Sequence, residues 1–380
     1  MGGVRVTALG GAGAMGRATS RELATNDAVD LTVADYDTEA ARELATDVPG
    51  DPAVREVDVT DDEDLLGVVE RSDVVANALP YAFNLDVMEA CLEGGAHYLD
   101  LGGLYHTTLD QLELDGVFDD AGLTAVLGIG ASPGLTNVAA AMGRERLDSV
   151  REIHIRTGAK GGGEGFAYSA RTILDELTME PVVYEGGELR SLEPLSGRET
   201  YTMPDPVGEV EGFHSIHSEL ATMPETFPGI EAVDFRVAFS PELVAITDAL
   251  MKVGLTSEEE FEFEGVRTSP REFLVAHLDR QPKPEAVEEW KSFRVDVSGT
   301  EDGEPAGYRY ETVVESRLDD WGLKATAVWT GIPMGIAAAA VGQGRALDTG
   351  AKPPEELFDP GAFLEELRER GIVVEETRAG

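Results

Sequence analysis

Apolar and polar positions change rhythm part-way along this chain. Over roughly the first third, short apolar runs alternate with helical stretches. The run 4–9 (VRVTAL) precedes a helical pattern over 17–26, and the run 31–34 ends on Asp35. A helix over 38–46 leads to a strand at 53–57 that ends on Asp58, then to a helix over 61–70 with Thr60 as its N-cap. The strand 74–79 stops at Pro80, and a helix over 84–93 breaks at Gly94-Gly95. A strand at 98–101, a helix over 108–121 and a strand at 124–129 follow, the last running into a further helix. Such alternation predicts the α/β class, a doubly wound parallel sheet. Beyond it, 151–156 (REIHIR), 293–297 (FRVDV), 308–317 and 323–330 alternate apolar with polar residues, which predicts an antiparallel sheet with one wet face. Helices near 170–177 and 243–253 make 131–330 a second, α+β domain. Helices over 336–347 and 360–370 return to the first domain, so 1–130 and 331–380 form one unit. The acidic run 256–264 reads as a solvated face.

The first strand empties into Gly11-Ala-Gly13-Ala14-Met15-Gly16. Strand, glycine turn, helix, strand and then an acid is the arrangement that a dinucleotide needs. Gly11 is expected to make the tight turn, Gly13 to let the backbone approach the pyrophosphate, and Gly16 to let the helix sit close on the strand. The helix N-terminus offers N–H groups and a positive dipole end to phosphate. Asp35 can accept hydrogen bonds from a ribose diol and repels a 2′-phosphate. Tyr36 and Asp37 follow it, with no arginine before Arg42, so NAD is favoured over NADP. In a doubly wound sheet the ligand lies at the carboxyl ends of the strands. Asp58 and Val59 then fall at the adenine edge, and Ala78, Leu79 and Pro80 on the path toward the nicotinamide.

Composition narrows the setting. A length of 380 residues predicts two domains. The net charge of −43 is spread along the chain, with six lysines against 24 arginines. That describes an evenly acidic surface suited to a high-salt cytoplasm, and repulsion sets nucleic acid aside as a partner. Cys91 is the single cysteine, so no internal disulfide forms, and it reads as a core residue. The apolar stretch 332–341 is short and rich in Ala and Gly, so no membrane span is expected there, and no signal peptide is expected ahead of the opening strand.

Several segments together resemble the saccharopine dehydrogenase family, closest to its lysine 6-dehydrogenase branch. They are GGAGAMG at 10–16, ALP at 78–80, GAHYLDLGG at 95–103, ASPGLTN at 131–137, TGIPMGIAAA at 330–339, KPPEELF at 352–358 and LRERGIVVEE at 367–376. The resemblance implies a Rossmann-type domain of discontinuous sequence. It also implies an inserted substrate and dimerisation domain, a homodimer, and NAD(P)-dependent oxidation at a carbon bearing nitrogen. Asp35 departs from the saccharopine-reductase branch, where a basic pair would hold NADP. The first expectation is therefore an NAD-dependent, lysine 6-dehydrogenase-like deamination of a small amino acid or amine. The rivals are an NADP-using saccharopine or carboxynorspermidine dehydrogenase and a non-catalytic dinucleotide-binding redox sensor.

Chemistry at a C–N carbon requires a base near neutral pKa, because only the neutral amine releases hydride. Asp100, Tyr105 and His106, on the loop after the fifth strand, are the candidates. For Asp100 a helix-capping or turn acid, and for His106 a surface loop histidine, are the plain alternatives. Pro133, Thr136 and Asn137 lead into a helix N-terminus, where they can cap the helix or hold a substrate carboxylate. By resemblance, Tyr168, Ser169, Arg171, His214, His217, Ser218 and Thr222 belong to the pocket region. Arg171 would pair with an α-carboxylate or else sit at the surface. His214 and His217 are spaced three apart but lack a third ligand, so no metal is expected.

Overall fold

A computed structural model describes residues 3–163, 169–281 and 287–379. The opening run forms β1 (Val4–Leu9), followed by α1 (Gly16–Ala24), β2 (Val29–Asp35), α2 (Thr38–Asp47), β3 (Ala53–Glu56), α3 (Asp62–Val69) and β4 (Val74–Asn77). Next come α4 (Asn84–Gly94), β5 (His97–Asp100), α5 (Leu104–Leu112), α6 (Asp115–Asp120) and β6 (Thr124–Val126). The central part holds α7 (Leu135–Arg146), β7 (Ser149–Gly161), α8 (Ala170–Thr178), β8 (Val182–Glu185), β9 (Glu188–Ser191), β10 (Glu199–Thr202) and β11 (Glu209–His214). After these come α9 (Glu219–Thr226), β12 (Ala232–Val237), α10 (Pro241–Lys252), β13 (Phe261–Phe263), β14 (Val266–Thr268), α11 (Pro270–Leu278), β15 (Glu289–Glu301), β16 (Glu304–Glu315) and α12 (Leu318–Trp321). The chain ends in α13 (Ala325–Gly342), β17 (Gly350–Lys352), α14 (Pro354–Leu357), α15 (Pro360–Glu369) and β18 (Val374–Ala379).

Seven strands form the first sheet in the order β17-β6-β5-β4-β1-β2-β3, all parallel. The strand order reverses between β1 and β4, and a cleft opens at that switch point. The apolar runs become strands because both faces are covered: Val6, Ala8, Leu9, Val74, Val75 and Ala76 are all buried. The second sheet follows the path β10-β11-β12-β7-β15-β16-β18, with β8 and β9 added beside β12. It is mixed rather than purely antiparallel, since β12 runs parallel to β7.

Four local expectations change. Asp61, not Thr60, caps α3, its carboxylate accepting from the N–H groups of Glu63 and Asp64. The stretch 108–121 divides between the end of α5 and the whole of α6. Most of the alternating stretch 323–330 is the start of α13, which begins at Ala325, because eight residues of alternation cannot distinguish a strand from the end of a long buried helix. The tail also carries β17, which extends the first sheet, and β18, which crosses to pair with β16 in the second. Helix α13 is long and apolar enough to span a membrane, yet it is 89% buried, packed against α1, β1 and β4. Cys91 is fully buried, as a core residue.

Candidate active site

One wall of the cleft is the loop after β1. Gly10, at φ +69°, makes the left-handed turn assigned above to Gly11. Gly11 instead gives close approach, since a Cβ there would lie 2.7 Å from the Ala8 carbonyl oxygen. At Gly16 a Cβ would lie 2.1 Å from the Gly10 carbonyl oxygen, so α1 can start this close only with glycine. No side chain caps the N-terminus of α1; Arg17 N and Ala18 N bond back to the Gly13 and Met15 carbonyls at 3.0 Å, and the positive end of the helix faces the glycine turn. Asp35, 5% exposed, accepts from Ala12 N at 3.0 Å and Asp37 N at 3.0 Å, which ties the glycine loop to the end of β2. Each oxygen keeps a second lone pair for a sugar hydroxyl. Tyr36 is 82% exposed beside it, while Asp58 accepts from the Thr60 N–H and hydroxyl and Val59 is half-buried. After β4, Asn77 Oδ1 accepts from Leu79 N at 3.1 Å and shapes the Ala78-Leu79-Pro80 corner. Ala14, Met15, Ala78, Leu79, Pro80 and Tyr81 line the cleft. The uncapped helix, the glycines and the acid fit a dinucleotide. Its pyrophosphate would take the α1 N-terminus, its ribose Asp35, and its nicotinamide the Met15–Leu79 end.

The facing wall belongs to the second sheet and its connections. His217 and Ser218 follow β11, and Phe235, Val237, Glu176 and Lys291 come from β12, α8 and β15. The His217 ring stacks on Phe235 at 3.8 Å between centroids. Its Nδ1 is hydrogen-bonded to Glu219 Oε2, which leaves Nε2 for the cleft that the ring lines. Glu219 is itself fully buried, and its other oxygen accepts from Ser132 Oγ at 2.8 Å and Thr136 Oγ1 at 2.7 Å. Burial alone would push the imidazole pKa down, but the charge and hydrogen bond of Glu219 outweigh it and hold His217 above its ordinary value. Burial would likewise push Glu219 up, and His217 holds it below the usual carboxylate range. The result is an oriented imidazole able to take or give a proton near neutral pH.

Several expected site residues lie elsewhere. Asp100 is buried beneath its loop, 1% exposed, and accepts five hydrogen bonds, so it is no base. Its donors are Asn84 Nδ2 (2.9 Å), Tyr98 OH (2.9 Å), Gly102 N (2.8 Å), Gln111 Nε2 (2.5 Å) and Gly128 N (2.7 Å). Tyr105 and His106 face a separate crevice with Thr178, Glu180 and Arg271. Thr136 and Asn137 are fully buried and do not reach the cleft. Asn137 Oδ1 caps Gly134 N at 2.9 Å, the capping half of that expectation. Arg171 is held by both oxygens of Glu272, at 2.6 and 2.7 Å, outside the cleft. His214 belongs to a charge cluster on the sheet, with Arg236 at 3.0 Å and Asp234 at 3.8 Å, so it is neither beside His217 nor in the pocket. Thr222 is buried on α9, and Tyr168 lies outside the described residues. Pro133, Ser169 and Ser218 do line the cleft. Among the described residues no cluster of His, Cys, Asp or Glu could hold a metal ion. Glu219, Phe235, Glu176 and Lys291 were not legible as site residues. The nearest signal was an acid two residues after His217.

Residues 6–126 match the family described as saccharopine dehydrogenase NADP binding domain, and residues 130–372 match saccharopine dehydrogenase C-terminal domain. The chain belongs to the saccharopine dehydrogenase family. It is therefore an NAD(P)-dependent oxidoreductase of amine and amino-acid substrates, which sets the redox-sensor reading aside. It is similar to carboxyaminopropylagmatine dehydrogenase of Synechocystis, 27% identical with 95% of each chain covered. Carboxynorspermidine synthase of Vibrio cholerae is 24% identical, over 95% of this chain and 94% of that one. The fold is that of saccharopine dehydrogenase (L-Glu forming) from Saccharomyces cerevisiae, with a TM-score of 0.73, 18% identity and 100% of both chains covered.

Proposed function

We propose that this saccharopine dehydrogenase family member interconverts a carboxylated secondary amine, an amino acid joined through nitrogen to a second amine, with its imine, using NAD in preference to NADP. The observation that carries the reading is the His217–Glu219 pair set across one cleft from Met15, Leu79 and Pro80. In the oxidative direction His217 Nε2 takes the proton from the amine nitrogen, so that the neutral amine can give up hydride from its carbon. Glu219 holds Nδ1–H and stabilises the imidazolium that forms. The bound nicotinamide supplies the hydride acceptor, or the donor in the reverse direction. In that direction the imidazolium returns its proton to nitrogen. Phe235 keeps the ring in one plane, and Ser132 and Thr136 keep Glu219 from turning away.

The lysine 6-dehydrogenase reading ranks behind this one, because the relatives matched along nearly their whole length are named for carboxylated amines. The cofactor choice rests on Asp35. The matched family domain is described as NADP-binding, but a buried carboxylate at the end of β2 repels a 2′-phosphate. The nearest following arginine, Arg42, is engaged by Thr38 at 3.2 Å. The test is a screen of lysine, saccharopine, carboxylated diamines and plain diamines with each dinucleotide, read at the reduced-nicotinamide absorbance in molar KCl. Turnover of carboxylated secondary amines with NAD(H) is expected. Activity confined to primary amines refutes the substrate, and activity confined to NADP(H) refutes the cofactor.

A further inference from the structure

The core-facing side of β15 reads Glu289, Lys291, Phe293, Val295, Val297, and the last three are buried and apolar. A lysine on that side of a strand needs a partner. Lys291 has none at hydrogen-bond distance among the described residues. Its nearest carboxylate, Glu289, stands 4.0 Å away, with the Lys291 side chain 18% exposed. Glu289 is anchored through its other oxygen: Oε2 accepts from Thr326 N and Thr326 Oγ1, both at 2.7 Å, at the start of α13, which holds Oε1 at that 4.0 Å from Lys291, beyond hydrogen-bond reach. Lys291 lines the cleft, on the wall that also carries His217. In a chain with six lysines and 24 arginines, a lysine has been placed where its charge meets whatever fills that cleft.

We propose that Lys291 binds the carboxylate of the substrate and so selects amines that carry an acid group over plain diamines. The inference rests on the reaction proposed above and adds the residue that sets its substrate class. A compact ammonium on a flexible stem suits a carboxylate whose distance from the reacting nitrogen varies between substrates. The hydrogen bond it makes there is charge-assisted and shielded from water, the stronger kind.

The experiment compares wild type with Lys291→Met on a carboxylated amine that the enzyme turns over and on the same amine with a carboxamide in place of the acid. The variant is expected to raise KM for the acid at least about tenfold, with kcat within a few-fold, and to leave KM for the amide and the affinity for NADH unchanged. An acid-to-amide preference equal in the two proteins overturns the proposal. A wild type that turns over no carboxylated amine is a failure of the proposed reaction, and a second arm then decides Lys291 alone. Saccharopine is titrated calorimetrically into NADH-loaded protein: tighter binding by wild type than by Lys291→Met supports the assignment, and equal binding or none overturns it.

Discussion

Asp100→Asn distinguishes a carboxylate that organises a loop from one that performs chemistry. Oδ1 accepts from two backbone N–H groups, of Gly102 and Gly128, and neither can turn away. The new amide nitrogen must therefore replace Oδ2, facing the donors of Asn84, Tyr98 and Gln111. The Tyr98 hydroxyl can rotate and Gln111 can flip. Asn84 cannot flip freely, because its Oδ1 accepts from Asn77 Nδ2 at 3.1 Å. One or two buried hydrogen bonds are lost, each worth about 1.5–3 kcal/mol when the acceptor is charged, for a total near 3 kcal/mol. For a cooperative unit of about 150–250 residues this lowers Tm by about 6–12 °C. Calorimetry gives the Tm, and steady-state kinetics at 25 °C, well below melting, give kcat within about tenfold of wild type. An unchanged Tm with kcat lowered by about 10²–10⁴, the scale of a lost general base, would refute the structural role.

Gly16→Ala drives a Cβ into the Gly10 carbonyl, so NADH affinity measured by fluorescence titration falls at least about tenfold; wild-type affinity contradicts the close approach of α1. Asp35→Ser removes the acceptor at the end of β2 and narrows the NADH-over-NADPH preference, and an unchanged ratio of the two Kd values counts against that residue. Because Glu219 raises the His217 pKa, oxidative kcat/KM climbs with pH through a value above the ordinary histidine pKa of about 6.5, and the reductive rate falls through the same value; flat profiles in both directions would exclude the imidazole. The same pair contributes stability that is lost as pH rises through the raised His217 pKa, and as it falls through the lowered Glu219 pKa. With a net charge of −43, Tm rises steeply between about 0.1 M KCl, where the screening length is about 10 Å, and molar KCl; a Tm indifferent to salt contradicts the reading of the acidic surface.

The nucleotide half was legible because its signals are local. A strand, a glycine turn and a following acid lie within one stretch, and Ala14, Met15, Leu79 and Pro80 fall on the cleft as their positions after β1 and β4 require. Asp100 shows where local reasoning stops. Its place at the end of β5 was readable, but the convergence of Asn84, Gln111 and Gly128 on its oxygens depends on three other segments. The facing wall is non-local throughout. His217, on the connection after β11, and Lys291, on β15, reach one cleft only when the second sheet forms, and nothing around Lys291 in sequence says that it faces a cleft rather than water. Helix α13 was misread at its start because a short alternating stretch fits both periods, and β17 was missed because it is only three residues long.

The proposed chemistry depends most directly on the His217 imidazole, and His217→Asn measured on both binding and turnover tests it. With dinucleotide affinity equal to wild type, kcat for the carboxylated amine is predicted to fall by about 10²–10⁴ and to lose its pH dependence. A variant that binds NADH normally and still turns over at the wild-type rate would contradict the assignment.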